Sequence, residues 1–440
     1  MCPMELSRRQ ALALQRYHQG KSILVTGPGG SGKTELIRRI VSTSGPKRVQ
    51  VCALTGCAAV LLQCKAKTLH SFAGIGLANG TEDDLVRRAM ASGRTQLWSA
   101  IDVLVVDEVS MMSSKLFATL DQIARRARRR LNVPFGGLQL VFSGDFYQLP
   151  PVEPNASFCF EHPHWDQTFD EVIALTTIFR QVDAPYRSIL NQIRVGALSD
   201  DACATLRTRL EAPVPTHPFK PTMICPRRDD AERLNARELH ALPGDEHVFQ
   251  LQKVRLAQRA PKGGGEGSTR DYSDEQVESE WERLFRTVMV DVQLALKRGA
   301  QVMVVANLDV AHQVVNGSQG TVVDFVDGRP LVRFTDGHTR LIDPHQWSSD
   351  VIPCVALRQL PLIHAWAITI HKAQGISLDM AQIDAGRSNF ECGQIYVALS
   401  RVRSLDGLYL TDLDPGKIRA NPKVVAYYDA HAQPDESELT

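Results

Sequence analysis

Gly27-Pro28-Gly29-Gly30-Ser31-Gly32-Lys33-Thr34 follows the apolar run Ser22-Ile23-Leu24-Val25-Thr26 and precedes the helix-compatible run from Glu35 to Val41. Strand, glycine-rich loop and helix in that order make a phosphate cradle. The glycines allow a tight turn that aims several N–H groups at one anion, and the helix adds its positive end. Gly27, Gly29, Gly30, Ser31 and Gly32 would line the cradle, Lys33 would reach the outer phosphates, and the Thr34 hydroxyl would ligate magnesium. The expected cofactors are therefore ATP and Mg2+.

Val49 to Ala53, Val103 to Val106 and Leu138 to Phe142 are further short apolar runs separated by helical segments. With Ile23 to Val25 they read as a buried parallel sheet in an α/β protein. Around residues 75 to 98 the pattern loosens into a polar excursion with Asn79-Gly80 as a turn signal, the mark of a small insertion. A second set of signals begins near Leu175. Gly263 to Ser268 is linker-like. Gln301 to Ala306, Gly320 to Val326 and Pro330 to Phe334 alternate with Asn316-Gly317, Asp327-Gly328 and Asp336-Gly337, which describes a small β-barrel-like module. Ala365 to Ile370 then restores the α/β pattern, so the β-rich part reads as an insertion.

The whole chain of 440 residues carries 50 basic and 49 acidic residues, so any nucleic-acid binding must come from local grooves rather than bulk charge. The nine cysteines form no CxxC pair, which favours neither a disulfide framework nor a zinc ribbon. No stretch is long and apolar enough to span a bilayer, and the N-terminus lacks a signal-peptide pattern. The expectation is an intracellular protein with no membrane partner.

Val103-Leu104-Val105-Val106-Asp107-Glu108 places two carboxylates at a strand end, where open α/β sheets bind ligands. Asp107 would hold the metal with Thr34, and Glu108 would polarise the water that attacks the γ-phosphate. Gln148, in Gly144-Asp145-Phe146-Tyr147-Gln148-Leu149-Pro150-Pro151, is a candidate sensor of that phosphate; the alternative is a proline-stiffened loop. Arg180 and Arg401 would supply guanidinium groups to the transferring phosphoryl group, an effect worth ~10³ to 10⁵ in rate where such fingers operate. By spacing alone, surface salt bridges are the safer reading of both.

The chain resembles the Pif1 family of superfamily 1 DNA helicases. The resemblance rests on GPGGSGKT at 27–34, LTGCAAVLL at 54–62, TLHSFAGIG at 68–76, VVDEVSMM at 105–112, FSGDFYQLPPV at 142–152, FRQ at 179–181, AITIHKAQGISLD at 367–379 and YVALSRVRSLDGLYL at 396–410, in order. The stretch from Leu120 to Arg128, continuing to Pro134-Phe135-Gly136-Gly137, resembles the segment that sets this family apart from RecD-like relatives.

The resemblance implies two RecA-like parallel-sheet motor domains: 1A over 1–174, with a small 1B wedge near 75–98, and 2A over 175–240 and 363–428. It further implies an SH3-like 2B module over 241–362, leaving a tail at 429–440. Gln10 would read the adenine edge, and Gln374 and Gly375 would join the nucleotide site. Arg180 and Arg401 would be the two phosphate-contacting arginines of the second motor domain. Single-stranded DNA would lie on Thr55, Gly56, His70 and Phe72 in one domain and Thr369, His371 and Lys372 in the other. Composition alone favours a core role for Phe72 over stacking on a base, and the basic run Arg125 to Arg130 suits a solvated helix face at least as well as phosphates.

The implied activity is an ATP-dependent 5′-to-3′ DNA helicase of replication, repair, recombination or telomere maintenance, acting as a monomer on single-stranded and forked or tailed duplex DNA. G-quadruplexes and RNA–DNA hybrids stay open as further partners. The location would be nucleus or mitochondrion in a eukaryote, cytoplasm in a bacterium, or a viral replication site. Two alternatives from other classes are a nucleotide-gated binding protein with slow turnover and a small-molecule kinase. The first does not need a complete hydrolytic set, and the second leaves the C-terminal motifs unexplained.

Overall fold

Short runs of Val, Ile and Leu that are apolar on both faces can be buried only between layers of helices, and this chain builds such a sheet. The computed structural model describes residues 5–431 except 63, 77, 154–155, 217–218, 257–271, 310–313, 350–351, 387–388 and 390, and the backbone alone at 286–287. The linker-like stretch at 263–268 and residues 432–440 of the expected tail lie outside the described residues. The chain divides into two compact units, residues 1–213 with 373–440, and residues 214–372.

In the first unit, strands β1 (Ile23–Thr26), β2 (Val49–Ala53), β3 (Lys67–Thr68), β4 (Val103–Asp107), β5 (Gln139–Gly144) and β6 (Glu171–Ala174) form one sheet in the order β3-β2-β4-β5-β1-β6. Every pairing is parallel. β3 and β6 were not among the expected strands: β3 is two residues long, and β6 opens on Glu171, so neither offers a continuous apolar run. The sheet carries helices α1 (Arg8–His18), α2 (Lys33–Thr43), α3 (Gly56–Leu62), α4 (Leu69–Ala73), α5 (Glu82–Ala91), α6 (Thr95–Ala100) and α7 (Ser114–Ala127).

The excursion near residues 75 to 98 is more ordered than its composition implies. Thr81 and Asp84 close a capping box at the start of α5, which buries Leu85, Val86 and Ala89. Beyond it, Trp98 in α6 is fully buried with its ring 4.7 Å from Phe72. The segment after α7 is pinned by one carboxylate: Asp121 accepts the Phe135 N–H at 2.6 Å and pairs with Arg125 at 2.7 Å. Phe135 is thereby driven into the core. The same unit contains a parallel strand pair, Ala381–Ala385 with Leu408–Leu413, and the C-terminal helix Pro422–Ala430, whose Val424 and Tyr427 join the core under the sheet.

In the second unit, Thr222–Cys225 pairs in parallel with Ala367–Thr369. Between them in sequence lies a five-stranded antiparallel sheet, ordered Thr339–Leu341, Arg329–Phe334, Gln319–Val326, Gln301–Val304, Leu362–His364. Asp327 and Gly328 both have positive φ, 49° and 74°, as a two-residue hairpin turn between right-twisted strands requires. A three-stranded sheet, His345–Ser348, Val355–Gln359 and Gln252–Arg255, packs its middle strand on the helix Asp274–Thr287.

Candidate nucleotide site

The phosphate loop leaves β1 and enters α2, whose cap residue Gly32 is left-handed (φ 80°) and offers no side-chain cap. The first N–H groups of α2 therefore remain for an external anion. What the glycines are for is visible in what a side chain would strike. A Cβ on Gly30 would come within 2.5 Å of the Arg180 Cβ, one on Gly29 within 3.2 Å of the Arg401 Nη2, and one on Gly32 would collide with the Gln10 amide. A Cβ on Gly27 would lie 2.7 Å from the Leu175 carbonyl. The loop is thus bare because its partners lie against it.

Arg180 reaches the loop by extension of β6: Leu175 N–H donates to Thr26 O at 2.7 Å and Phe179 N–H to Gly30 O at 2.8 Å. Its Nη1 donates to Ser400 O at 3.2 Å, and the neighbouring Gln181 amide donates to Ser400 O and Val402 O at 3.0 and 3.1 Å. Arg401, 2% exposed, donates from Nε to Val397 O at 2.8 Å and from Nη2 to Ser400 Oγ at 2.6 Å. Burial lowers the pKa of both guanidiniums; Arg180, further disfavoured by the charge of Arg401, falls to about 9. Arg401 is buried and Arg180 partly buried, both bonded to the turn at Ser400 rather than to a surface carboxylate, so the surface salt-bridge alternative does not hold for them.

Lys33 Nζ donates to Gly27 O at 2.6 Å and Pro28 O at 3.0 Å. Burial depresses its pKa, opposed by the charges of Asp145, Glu108 and Asp107. Asp107 closes β4 as a buried residue, and Glu108 follows in the left-handed region (φ 59°), a conformation that a non-glycine residue holds only where its surroundings impose it. Burial raises the pKa of both carboxyls, and Asp107 raises that of Glu108 further by like charge. Gln374 Nε2 donates to Glu108 Oε2 at 2.9 Å, and Gly375 O accepts from Arg180 Nη2 at 3.5 Å. Among the described residues the buried Ser31 hydroxyl and Gln374 Oε1 find no hydrogen-bond partner, which suits a site built to meet a polar ligand.

Gln10 is engaged at both ends of its amide: Oε1 accepts the Ser7 N–H at 2.9 Å in a capping box, and Nε2 donates to Gly32 O at 3.2 Å. Gln148 is buried in the loop after β5, where a Cβ on Gly393 would lie 2.6 Å from the carbonyls of both Tyr147 and Gln148. Among the described residues no hydrogen bond ties its side chain to the cradle. For a divalent cation the fit is a short oxygen set, Asp107 and the Thr34 hydroxyl at the start of α2. That is the pattern of an ion completed by phosphate oxygens and water rather than by a protein cage. Among the described residues no group of three or more His, Cys, Asp or Glu side chains could hold a metal.

The expected DNA contacts divide between the units. In the first, Thr55 Oγ1 accepts the Ala58 N–H at 3.2 Å at the start of α3, next to Gly56, and burial lowers the pKa of His70. Phe72 is 1% exposed and packed on Trp98, so the stacking reading gives way to the core one: its ring has no open face. In the second unit, Thr369 Oγ1 accepts the Lys372 N–H at 3.2 Å, and His371 is partly buried with a lowered pKa. Thr369 and Lys372 line a cavity of about 330 Å³ with Arg228, Asn235, Asp291 and His364.

A second layer behind the cradle was not anticipated. Asp145, fully buried, is gripped by Arg194, whose Nη2 and Nε donate at 2.8 and 3.1 Å. The guanidinium lies over the rings of Tyr147 and Tyr428, 4.6 and 5.4 Å from their centroids. Burial alone would raise the Asp145 pKa; Arg194 overrides it and holds the carboxyl below its ordinary range. Asp145 sat inside a recognised motif and could have been suspected as a buried charge, whereas nothing in the sequence around Arg194 marks it.

Residues 6–200 match the family model described as PIF1-like helicase, and residues 282–325 match the one described as DNA helicase Pif1, 2B domain. The ATP-dependent DNA helicase PIF1 of Xenopus laevis is 38% identical over 437 residues, which cover 97% of this chain and 64% of that protein. The chain thus spans less than two thirds of the length of this curated relative. The crystal structure of Pif1 helicase from Candida albicans aligns with a TM-score of 0.77 at 34% identity, covering 97% of this chain and 99% of that one. Pif1 helicase from Bacteroides in complex with ADP-AlF3 and ssDNA aligns at 0.65 and 26% identity, covering 98% of each chain.

Proposed function

Since the chain belongs to the Pif1 family of helicases, we propose that it is an ATP-dependent DNA helicase that moves 5′ to 3′ on single-stranded DNA and unwinds duplex ahead of it. The observation that carries this reading is the convergence of Arg180 and Arg401 on the loop glycines before Lys33, with Glu108 tied by Gln374 into the same site. A nucleotide-binding module without turnover has no use for two converging guanidiniums and a carboxylate at the place where a γ-phosphate leaves.

In this reading the α2 N-terminus and Lys33 hold the phosphates, and Glu108 takes the proton of the attacking water. Arg180 and Arg401 stabilise the charge that develops on the departing phosphoryl group. Asp107 and Thr34 would hold Mg2+, which when bound supplies charge neutralisation on the phosphate oxygens. Gln10 would turn its amide from Ser7 and Gly32 to adenine, and Gln148 would sense the γ-phosphate.

We further assign residues 1–174, with a wedge near 75–98, to one motor domain, 175–240 with 363–428 to a second, and 241–362 to a 2B module. Thr55, Gly56, His70, Thr369, His371 and Lys372 would contact the strand. The relative crystallised with a nucleotide analogue and ssDNA supports both ligand classes. Forked DNA, G-quadruplexes, RNA–DNA hybrids, monomeric action and an intracellular place in DNA replication or repair belong to the same proposal.

Strand displacement on partial duplexes with either a 5′ or a 3′ single-stranded tail tests it, with Glu108→Gln as control. Unwinding of the 5′-tailed substrate only, lost in the variant, is the expected result. Displacement from the 3′ tail would overturn the polarity, and ATP-independent or absent displacement would overturn the helicase assignment.

A further inference from the structure

Tyr396 stands between the phosphate loop and the second layer behind it. Its side chain is buried, and its hydroxyl does two things at once: it accepts the Gly29 N–H at 2.9 Å and donates to Asp145 Oδ2 at 3.3 Å. The donor it accepts from belongs to the loop whose N–H groups are the natural ligands of a polyphosphate. The carboxylate it donates to cannot drift, because Arg194 holds it from one side and Tyr428, whose hydroxyl also accepts the Phe146 N–H at 3.2 Å, closes the other. A phenol fixed in this way is a built-in acceptor for one loop donor.

We infer that Tyr396 is a positioning residue that competes with the nucleotide's phosphates for the Gly29 N–H, and so sets how readily the product nucleotide leaves. The inference rests on reading this pocket as a nucleotide site. It goes beyond that reading by giving a role to a residue that touches neither nucleotide chemistry nor DNA in it. A buried N–H costs free energy when unpaired, so the phenol makes release easier by receiving the donor that the phosphate gives up. It also links the loop to Asp145, three residues before Gln148, so that gain and loss of a phosphate are felt at the sensor loop.

The sign of the effect separates this role from a structural one. Removing only the hydroxyl, in Tyr396→Phe, should tighten ADP binding roughly fivefold to tenfold and slow ADP dissociation by a similar factor, because the loop donor loses its alternative acceptor. A packing defect would loosen binding instead. Tyr428→Phe is the matched control: it removes another hydroxyl from the same carboxylate but none from the loop, and its ADP affinity should stay within about twofold of the starting protein.

Titration with fluorescent ADP, followed by chase with unlabelled ADP, reads both quantities. Unchanged or weakened ADP binding in Tyr396→Phe overturns the inference, as does equal tightening in Tyr428→Phe, which would route the effect through Asp145 alone. The assay needs neither DNA nor turnover. A protein that binds ADP with the expected Tyr396 effect yet unwinds nothing would sink the helicase reading and spare this one. Wild-type ADP affinity in an actively unwinding Tyr396→Phe enzyme would do the reverse.

Discussion

The phosphate cradle of the first unit and the Thr369–Lys372 segment of the second differ in how far their surroundings determine them. In the cradle each loop glycine faces a named partner, and Arg401, buried, and Arg180, partly buried, are hydrogen-bonded to the turn around Ser400. In the second unit, Thr369 and Lys372 are tied to each other and line an open cavity that also contains Asp291 and Glu232. Chemistry on a phosphoryl group demands positions fixed to a fraction of an ångström, whereas gripping a strand without reading its sequence demands only charge and donors in reach. The difference predicts where a single substitution is catastrophic and where it is mild.

The largest effect is expected at the arginines. Arg401→Ala should leave ATP affinity within a few-fold while the DNA-stimulated hydrolysis rate falls by about 10³ to 10⁵. The measurement is steady-state ATPase with and without single-stranded DNA, read as kcat against KM. A KM effect with intact kcat would mean that the guanidinium binds ground-state nucleotide only, and the contrast between the two regions would lose its sharpest support.

How much of this was legible beforehand follows the same division. Lys33, Asp107 and Glu108 lie in short runs whose residue order marks them as site candidates, whereas Arg180 and Arg401 stand out only through the family resemblance, since their spacing alone suits surface salt bridges. The sheet core was legible for a similar reason, since β1, β2, β4 and β5 are apolar on both faces. β3 and β6 were not, because a two-residue strand and one beginning on Glu171 leave no periodic trace. Phe72 shows the limit inside a motif: its type favours a core role while the family resemblance implies a DNA contact, and the packing of its ring on Trp98 decides for the core. Arg194 is harder still, because its partner Asp145 is 49 positions away in the chain.

That buried pair supplies the intermediate prediction. Asp145→Asn keeps the shape of the side chain but leaves the partly buried Arg194 without its counter-charge, which should cost about 3 kcal/mol of stability. Chemical denaturation at neutral pH measures it. The pH dependence has a definite sign. Asp145 has a folded-state pKa below its unfolded value, so its contribution is complete above the unfolded value of about 3.9 and is lost as pH falls through the folded one. The gap between wild type and variant should therefore be widest near neutrality and close in strong acid. A gap that stays constant to low pH would mean that packing of the Tyr147 and Tyr428 rings, not charge, is what the substitution disturbs.

The smallest effect belongs to the second unit. Lys372 neutralises at most one phosphate and is only partly buried, so Lys372→Ala should weaken single-stranded DNA binding about fivefold at low salt. The slope of log affinity against log salt should drop by about one in magnitude, with ATP affinity unchanged. Fluorescence anisotropy across a salt series reads both numbers. A loss that persists at high salt would point to a fixed geometric role for the lysine, as tightly determined as any residue of the cradle, and the two regions would then differ in chemistry but not in precision.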